Sequence, residues 1–128
     1  MHTILIVDDE PNYQIVLSEI LKDEGYEVFT ANSGLAGLPI VYSTDLDLVL
    51  SDMKMPGMDG IETLGKIRQL HSELPVIMMT AYEDTATVIA AMRAGAHDYL
   101  IKPLEIEMFE LAVDKGLAHL RLRREVET

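Results

Sequence analysis

Apolar residues fall along this chain in two alternating rhythms. Five short runs, Thr3–Val7, Val28–Ala31, Leu46–Leu50, Val76–Met79 and Tyr99–Ile101, have the length and residue content of strands. The first, third and fourth are almost unbroken Ile, Val, Leu and Met, the pattern of strands covered on both faces of a parallel sheet. Between them the spacing changes to three and four. Tyr13, Val16, Leu17, Ile20 and Leu21 mark one helical stripe, with Pro11 suited to its first turn and Gly25 to its C-cap. Ile61, Leu64, Ile67 and Arg68 give a shorter stripe after Pro56-Gly57 and Asp59-Gly60. Asp84 is placed as the N-cap of a helix through Val88, Ala91 and Met92 that Gly95 closes. Ile106, Phe109, Val113, Gly116, Leu117 and Leu120 form the last stripe. The segment after Ser33 is less regular. Pro39 removes a backbone donor and crowds the carbonyl four residues earlier, which predicts a kink or a late start for that helix.

Strand and helix thus alternate five times, without an internal repeat or low-complexity stretch. Such alternation indicates an α/β fold with helices on both faces of a parallel sheet. Right-handed crossovers leave few topologies, and 2-1-3-4-5 is a common doubly wound order. Ligands in such sheets bind beyond the carboxyl ends of the strands, at the switch point between strands 1 and 3.

Composition narrows the function. The length of 128 residues suits one domain. Absence of cysteine removes disulfides, thiolate zinc sites and a cysteine nucleophile. A net charge of −12 argues against a direct grip on nucleic acid, which needs a basic footprint. No basic start leads into a signal-like apolar run, and no run approaches the ~20 residues that span a bilayer. A cytoplasmic domain without membrane contact is the expectation. The acid is unevenly spread. Residues 8–62 carry twelve Asp and Glu against Lys22 and Lys54, whereas residues 105–128 carry six against Lys115, Arg121, Arg123 and Arg124.

Part of that acid stands at the ends of apolar runs, where sheet packing does not account for it. Asp8-Asp9 follow strand 1, Asp52 follows strand 3, Thr80 strand 4 and Lys102 strand 5. Three carboxylates gathered at one sheet edge repel one another, and a hard divalent cation relieves that repulsion. Oxygen donors without His or Cys suit Mg²⁺. Asp9 and Asp52 are then the direct ligands, with Asp8 acting through water. Lys102 either neutralises Asp52 in a structural pair or stabilises charge on a transferred phosphoryl group, roles that are compatible. Thr80 offers a hydroxyl for a phosphoryl oxygen, or serves simply as a turn residue.

Four stretches now form a pattern: Ile4-Leu5-Ile6-Val7-Asp8-Asp9-Glu10, the run from Leu48 through Ser51-Asp52-Met53-Lys54 to Gly60, Met79-Thr80-Ala81, and Asp98-Tyr99-Leu100-Ile101-Lys102-Pro103. In this order and spacing they resemble the response regulator receiver domain of two-component signalling, over nearly the whole chain to about residue 120. The resemblance implies a flavodoxin-like, CheY-like three-layer sandwich. It implies that Asp52 is the phosphoacceptor and that a sensor histidine kinase is the donor. Mg²⁺, or Mn²⁺ as a substitute, would be held by Asp9, Asp52 and the backbone carbonyl of Lys54, with Asp8 nearby. Lys102 maps onto the family lysine, Pro103 onto a cis-proline, and Thr80 with Tyr99 onto the switch pair. The loop Ala81–Asp84 and the helix behind it would respond to phosphorylation. Lys54 and Tyr82 flank the site, where they would limit access of water. A domain of this kind is not an enzyme acting on other molecules, although it promotes its own phosphorylation and dephosphorylation.

Two other readings share parts of the site. A haloacid-dehalogenase-type phosphatase also uses an Asp nucleophile and Mg²⁺, but needs a second Asp two residues later as general acid, and here that position is Lys54. A pseudo-receiver would bind partners without taking phosphate; the intact set Asp8, Asp9, Asp52, Thr80 and Lys102 argues against it. Met53, Met55, Met58, Met78 and Met79 read as gap-filling near the site, and His2, His71, His97 and His119, which are not at metal-ligand spacings, as surface or local hydrogen-bonding residues. Leu117 to Glu125 keeps a helical look beyond the completed domain. The expectation is a receiver over residues 1–120 and, in 121–128, the start of a linker helix toward an output domain. This ending, with Ile77–Tyr82 and Ala94–Leu100, looks most like the receivers of NtrC-like transcriptional activators. That likeness implies an AAA+ ATPase and a DNA-binding domain as output. It also implies homodimerisation through helix 4, strand 5 and helix 5, roughly Asp84–Arg124.

Overall fold

The computed structural model describes residues 2–54, 57–81 and 85–127, with side chains as far as Ala118. Strands β1 (Thr3–Val7), β2 (Glu27–Ala31), β3 (Leu48–Asp52), β4 (Val76–Thr80) and β5 (Asp98–Ile101) alternate with helices α1 (Pro11–Asp23), α2 (Gly34–Ser43), α3 (Gly60–Leu70), α4 (Thr85–Arg93) and α5 (Ile106–Glu127). All strand pairs are parallel, in the order β2-β1-β3-β4-β5. This is the doubly wound arrangement that the alternation predicts. Among the described residues no helix is long and apolar enough to cross a membrane.

The period of two in the strands divides the interior into two cores. Leu5, Val7, Val49, Val76 and Met78 point to the face covered by Val41 of α2, Leu64 and Ile67 of α3, and Ala91 of α4. Ile4, Ile6, Leu48, Leu50, Ile77 and Met79 point to the other, under Leu17 and Leu21 of α1 and Phe109 and Val113 of α5. Both faces are therefore buried, which is why β1, β3 and β4 carry no polar alternation. Met53, Met78 and Met79 are buried, consistent with gap-filling.

Several details differ from the pattern. The third apolar run begins at Leu46, but β3 begins at Leu48 and continues through Ser51 and Asp52, which pair with Val7 and Met79. Leu46 is buried just ahead of the ladder. Apolar runs record burial, whereas strand limits record hydrogen bonding, and at this edge the two part by two residues. Asp52 and Thr80 are thus the last members of β3 and β4 rather than residues beyond them. In α1, Val16 is exposed while Ser18 is buried, so the helix is turned by part of a residue step from the apolar stripe. Met92 and Ile106 are likewise exposed. α2 does not start late: Ser33 caps it by accepting the Ala36 N–H, and the helix begins at Gly34 and runs past Pro39 to Ser43. Gly25, one residue past the α1 cap Glu24, takes a left-handed φ of +92°. The N-cap role given to Asp84 lies outside the described residues.

One close approach joins β3 to α3. The Asp59 side chain caps α3 by accepting the Glu62 N–H at 2.8 Å. The next residue, Gly60, donates its N–H to the Met53 carbonyl at 2.9 Å. A Cβ on Gly60 would stand 2.6 Å from the Asp52 carbonyl oxygen and 2.7 Å from Met53 Cα, both backbone atoms with little freedom to yield. Gly60→Ala is expected to destabilise the fold by roughly 1–3 kcal/mol through overpacking. Gly65→Ala, on the same helix with nothing within 4 Å of the added carbon, should stabilise it by about 0.5–1 kcal/mol. Urea midpoints of the two variants, shifted in opposite directions, check both.

Candidate functional site

The carboxyl ends of β1, β3, β4 and β5 meet at one edge of the sheet. Asp8 follows Val7 directly; its N–H donates to the Ala31 carbonyl at 3.0 Å, and its side chain is fully buried. One carboxylate oxygen of Asp8 accepts the Glu10 N–H at 2.9 Å, and the other accepts from Lys102 Nζ at 2.9 Å. Gln14, from the first turns of α1, donates to the carbonyls of Asp8 and Ala31 and so ties the ends of β1 and β2 together. Lys102 follows β5; its N–H donates to the Thr80 carbonyl at 2.7 Å, and the Lys102–Pro103 bond is cis, as the family pattern implies.

Lys102 is the hub. Its side chain is 7% exposed, with Asp8 Oδ2 at 2.9 Å, Asp52 Oδ2 at 3.4 Å and Glu10 Oε1 at 3.7 Å. The Tyr13 ring covers a further side, 4.1 Å from Nζ to the ring centroid. Burial pushes the Asp52 carboxyl up to about 6, Lys102 pulls it down and the charge of Asp8 adds to the rise. A hydrogen bond from the Lys54 backbone also favours the ionised form. For Lys102, burial opposes the charge, but the Asp8 hydrogen bond and the carboxylates of Asp52, Asp8 and Glu10 outweigh it and raise its pKa. The pocket therefore holds more acid than one ammonium balances.

Of the residues singled out from sequence, Asp8, Asp52 and Lys102 are in direct contact through the ammonium. Asp9 is exposed, and its carboxylate belongs to a set with Asp8 and Glu10 whose oxygens lie within 4.8 Å of one another. Asp52 is not a member of that set. Glu10, which continues the acidic run Asp8-Asp9, and Tyr13, which the sequence places only in the apolar stripe of α1, join the site in the folded chain. Thr80 is buried at the end of β4, while Tyr99, whose register partner on β4 is Met78, is 37% exposed. Lys54 is exposed, and Tyr82 lies outside the described residues. The donors on this edge are all oxygen, without His or Cys, which suits a hard divalent cation such as Mg²⁺.

Comparison with known proteins agrees with this geometry. A family model described as response regulator receiver domain matches residues 4–114. The transcriptional regulatory protein ZraR of Klebsiella oxytoca is 44% identical over 119 residues, which is 93% of this chain and 27% of ZraR. Sporulation initiation phosphotransferase F of Bacillus subtilis (strain 168) is 43% identical over 114 residues, 89% of this chain and 92% of that protein. The crystal structure of a response regulator receiver domain protein (CheY-like) from Methanospirillum hungatei JF-1 superposes with a TM-score of 0.92 at 31% identity, over 96% of this chain and 98% of the other. The chain thus spans about a quarter of the length of ZraR but nearly all of the smaller relatives.

The raised Asp52 pKa has a consequence for stability. A carboxyl that holds its proton more tightly in the folded chain (about 6 against 3.8 ordinarily) weakens the fold as pH rises through that interval, and the loss stays constant above it. In metal-free protein Asp52→Asn should therefore be more stable than wild type at pH 7.5, by on the order of 2–3 kcal/mol. The difference should shrink to about 0.5 kcal/mol by pH 4 and vanish below about pH 3, and added Mg²⁺ should narrow it at neutral pH by stabilising the wild type. Denaturation midpoints at several pH values, with and without Mg²⁺, measure each part.

Proposed function

This chain belongs to the response regulator receiver domains, and on that footing we propose that Asp52 accepts a phosphoryl group from the phosphohistidine of a sensor histidine kinase. One observation carries the reading: a single carboxylate at the end of β3 faces a buried ammonium 3.4 Å away, beside an acidic cluster. Phosphoryl transfer needs positioning and charge stabilisation more than covalent assistance. An ionised Asp52 oxygen attacks phosphorus; the O–P bond forms as the phosphohistidine P–N bond breaks, and the imidazole leaves with a proton from water. A carboxylate has no proton to lose, so phosphorylation requires no general base. Lys102 stabilises the charge that spreads over the phosphoryl oxygens, and the Thr80 hydroxyl donates to one of them.

Asp9, Asp52 and the backbone carbonyl of Lys54 would hold Mg²⁺, or Mn²⁺ as a substitute, in this reading, with Asp8 acting through water and Glu10 beside them. The metal supplies charge neutralisation at the phosphoryl oxygens. Thr80 and Tyr99 act as the switch pair, with Tyr99 facing solvent before phosphorylation. The domain promotes its own dephosphorylation as well as phosphorylation and acts on no other substrate.

Residues 1–120 form the regulatory unit. The last turns of α5, which runs unbroken to Glu127, begin a linker helix toward an output domain of the NtrC-like activator kind, an AAA+ ATPase with a DNA-binding domain; the last residue of the proposed 121–128 linker lies outside the described residues. That ZraR is much longer than its matched segment supports this arrangement.

Incubation with acetyl phosphate and Mg²⁺ should add one phosphoryl mass to the intact chain, and both Asp52→Asn and EDTA should abolish it. Steady release of phosphate from unrelated monoesters without an adduct would instead identify a phosphatase. No adduct at all would identify a pseudo-receiver.

The same reading assigns homodimerisation to the region Asp84–Arg124. Among its described side chains Ile89, Met92, Tyr99, Met108 and Leu111 are exposed on α4, β5 and α5. Light scattering should show a mass shift toward dimer when a phosphoryl mimic and Mg²⁺ are added, and a monomer at high concentration under both conditions would remove the proposal.

A further inference from the structure

Resting on the acceptor reading of Asp52, we propose that Tyr13 is a positioning residue for Lys102: its ring face holds the ammonium at the point from which it reaches Asp8 and Asp52 together. Three carboxylates surround Nζ, at 2.9, 3.4 and 3.7 Å, and they are not equivalent. Asp8 and Asp52 are buried, whereas the Glu10 side chain is 58% exposed. Glu10 therefore offers the ammonium a competing partner that is open to water, unlike the buried acceptor.

The Tyr13 ring, 4.1 Å from Nζ, opposes this. An aromatic face attracts a cation without forming a competing ion pair, and the attraction grows as water is excluded. The ring is itself fixed. Tyr13 lies on α1, is half-buried, and packs against the core between α1 and α5 with Ile20 and Leu104 as neighbouring partly buried side chains. It forms one wall of a small apolar groove that Pro103, the residue after Lys102, also lines. The ring over the Lys102 head group and the proline that follows Lys102 thus belong to one apolar patch. A long side chain with several rotatable bonds gains from such a support, which adds to the restraint its ion pair with Asp8 already supplies.

Phosphoramidate tests the idea without a kinase. Its P–N bond breaks, the Asp52 O–P bond forms, and ammonia leaves with a proton from water. With saturating Mg²⁺, Tyr13→Leu should slow phosphorylation of the chain about three- to tenfold, as loss of a cation–π contact at a desolvated site implies. Tyr13→Phe, which keeps the ring face, should restore the rate to within twofold of wild type. A readout independent of turnover is the Lys102 ε-methylene proton shift: upfield by ring current in wild type and Tyr13→Phe, normal in Tyr13→Leu. If Tyr13→Leu fails to fold, a fluorinated phenylalanine at position 13 keeps the shape while withdrawing negative potential from the face, and should slow the reaction in the same sense. Equal rates for wild type and Tyr13→Leu, equal slowing by Phe and Leu, or a Lys102 shift indifferent to residue 13 would each overturn the proposal. A wild-type chain that takes up no phosphoryl group while the Lys102 shift still follows residue 13 overturns the acceptor reading instead, and with it the rate effect.

Discussion

The architecture of this edge depends on one buried ammonium shared between two strand ends. Lys102 reaches from the end of β5 to Asp8 at the end of β1, strands that β3 and β4 separate in the sheet. Without Lys102, Asp8 would be a fully buried carboxylate whose one remaining side-chain hydrogen bond among the described residues is that from the Glu10 N–H. Removing one member of such a pair leaves the other uncompensated, which costs more than the pair itself contributes. The same ammonium also restrains Asp52, whose burial would otherwise favour the neutral acid more strongly. The site is thus held in an ionised state by a charge from the opposite end of the chain.

That arrangement requires strand ends that do not move, and the two-sided core provides them. β1, β3 and β4 are buried on both faces by side chains that alternate between the α2–α3–α4 layer and the α1–α5 layer. Because Asp52 and Thr80 belong to the hydrogen-bonded ladder, their backbones are fixed by register rather than by a loop. Gly60 extends the constraint beyond the strand, since only a residue without Cβ lets α3 begin against the Asp52 carbonyl. Flexible pieces are left to side chains, Lys102 above all.

Most of this was legible in the sequence for a physical reason. A parallel sheet with both faces covered writes its strands as unbroken apolar runs, and the charged or hydroxyl residues within two positions of the ends of β1, β3, β4 and β5 mark the functional edge. Asp8, Asp52, Thr80 and Lys102 were found that way, and their spacing carried the family resemblance. The limits of β3 were not legible, because Leu46 is buried without being in the ladder while Ser51 and Asp52 are in the ladder without being apolar. Val16 and Ser18 exchanged places for a related reason: hydrophobicity reports a face only to within part of a helical step. Glu10 and Tyr13 escaped because each has an ordinary local role, as a surface acid and as a stripe aromatic. Their relation to Lys102 spans about ninety residues of sequence and exists only in the folded chain.

Under the acceptor reading, charge alone is a weak signal at this site. An ionised Asp52 already presents one negative charge to Lys102; a phosphoryl group replaces it with roughly −1.5 to −2. Lys102 therefore sees a stronger partner, not a new one, and Asp8 remains in place. The larger difference is reach, because the phosphoryl oxygens stand farther from the β3 backbone than the carboxylate they replace. Only groups beyond Asp52 on the same edge register that displacement. Lys102 and Thr80 are already joined through the Lys102 N–H and the Thr80 carbonyl, and Thr80 pairs in register with Ile101 beside it. On that reading it is the side chains of Lys102 and Thr80 that follow the displacement, since the backbones of β4 and β5 are paired in register and those of β1 and β2 are tied by Gln14 and the buried Asp8. The strand backbones then serve as the fixed frame, and the side chains at the ends of β4 and β5 are where a phosphoryl group on Asp52 would be read.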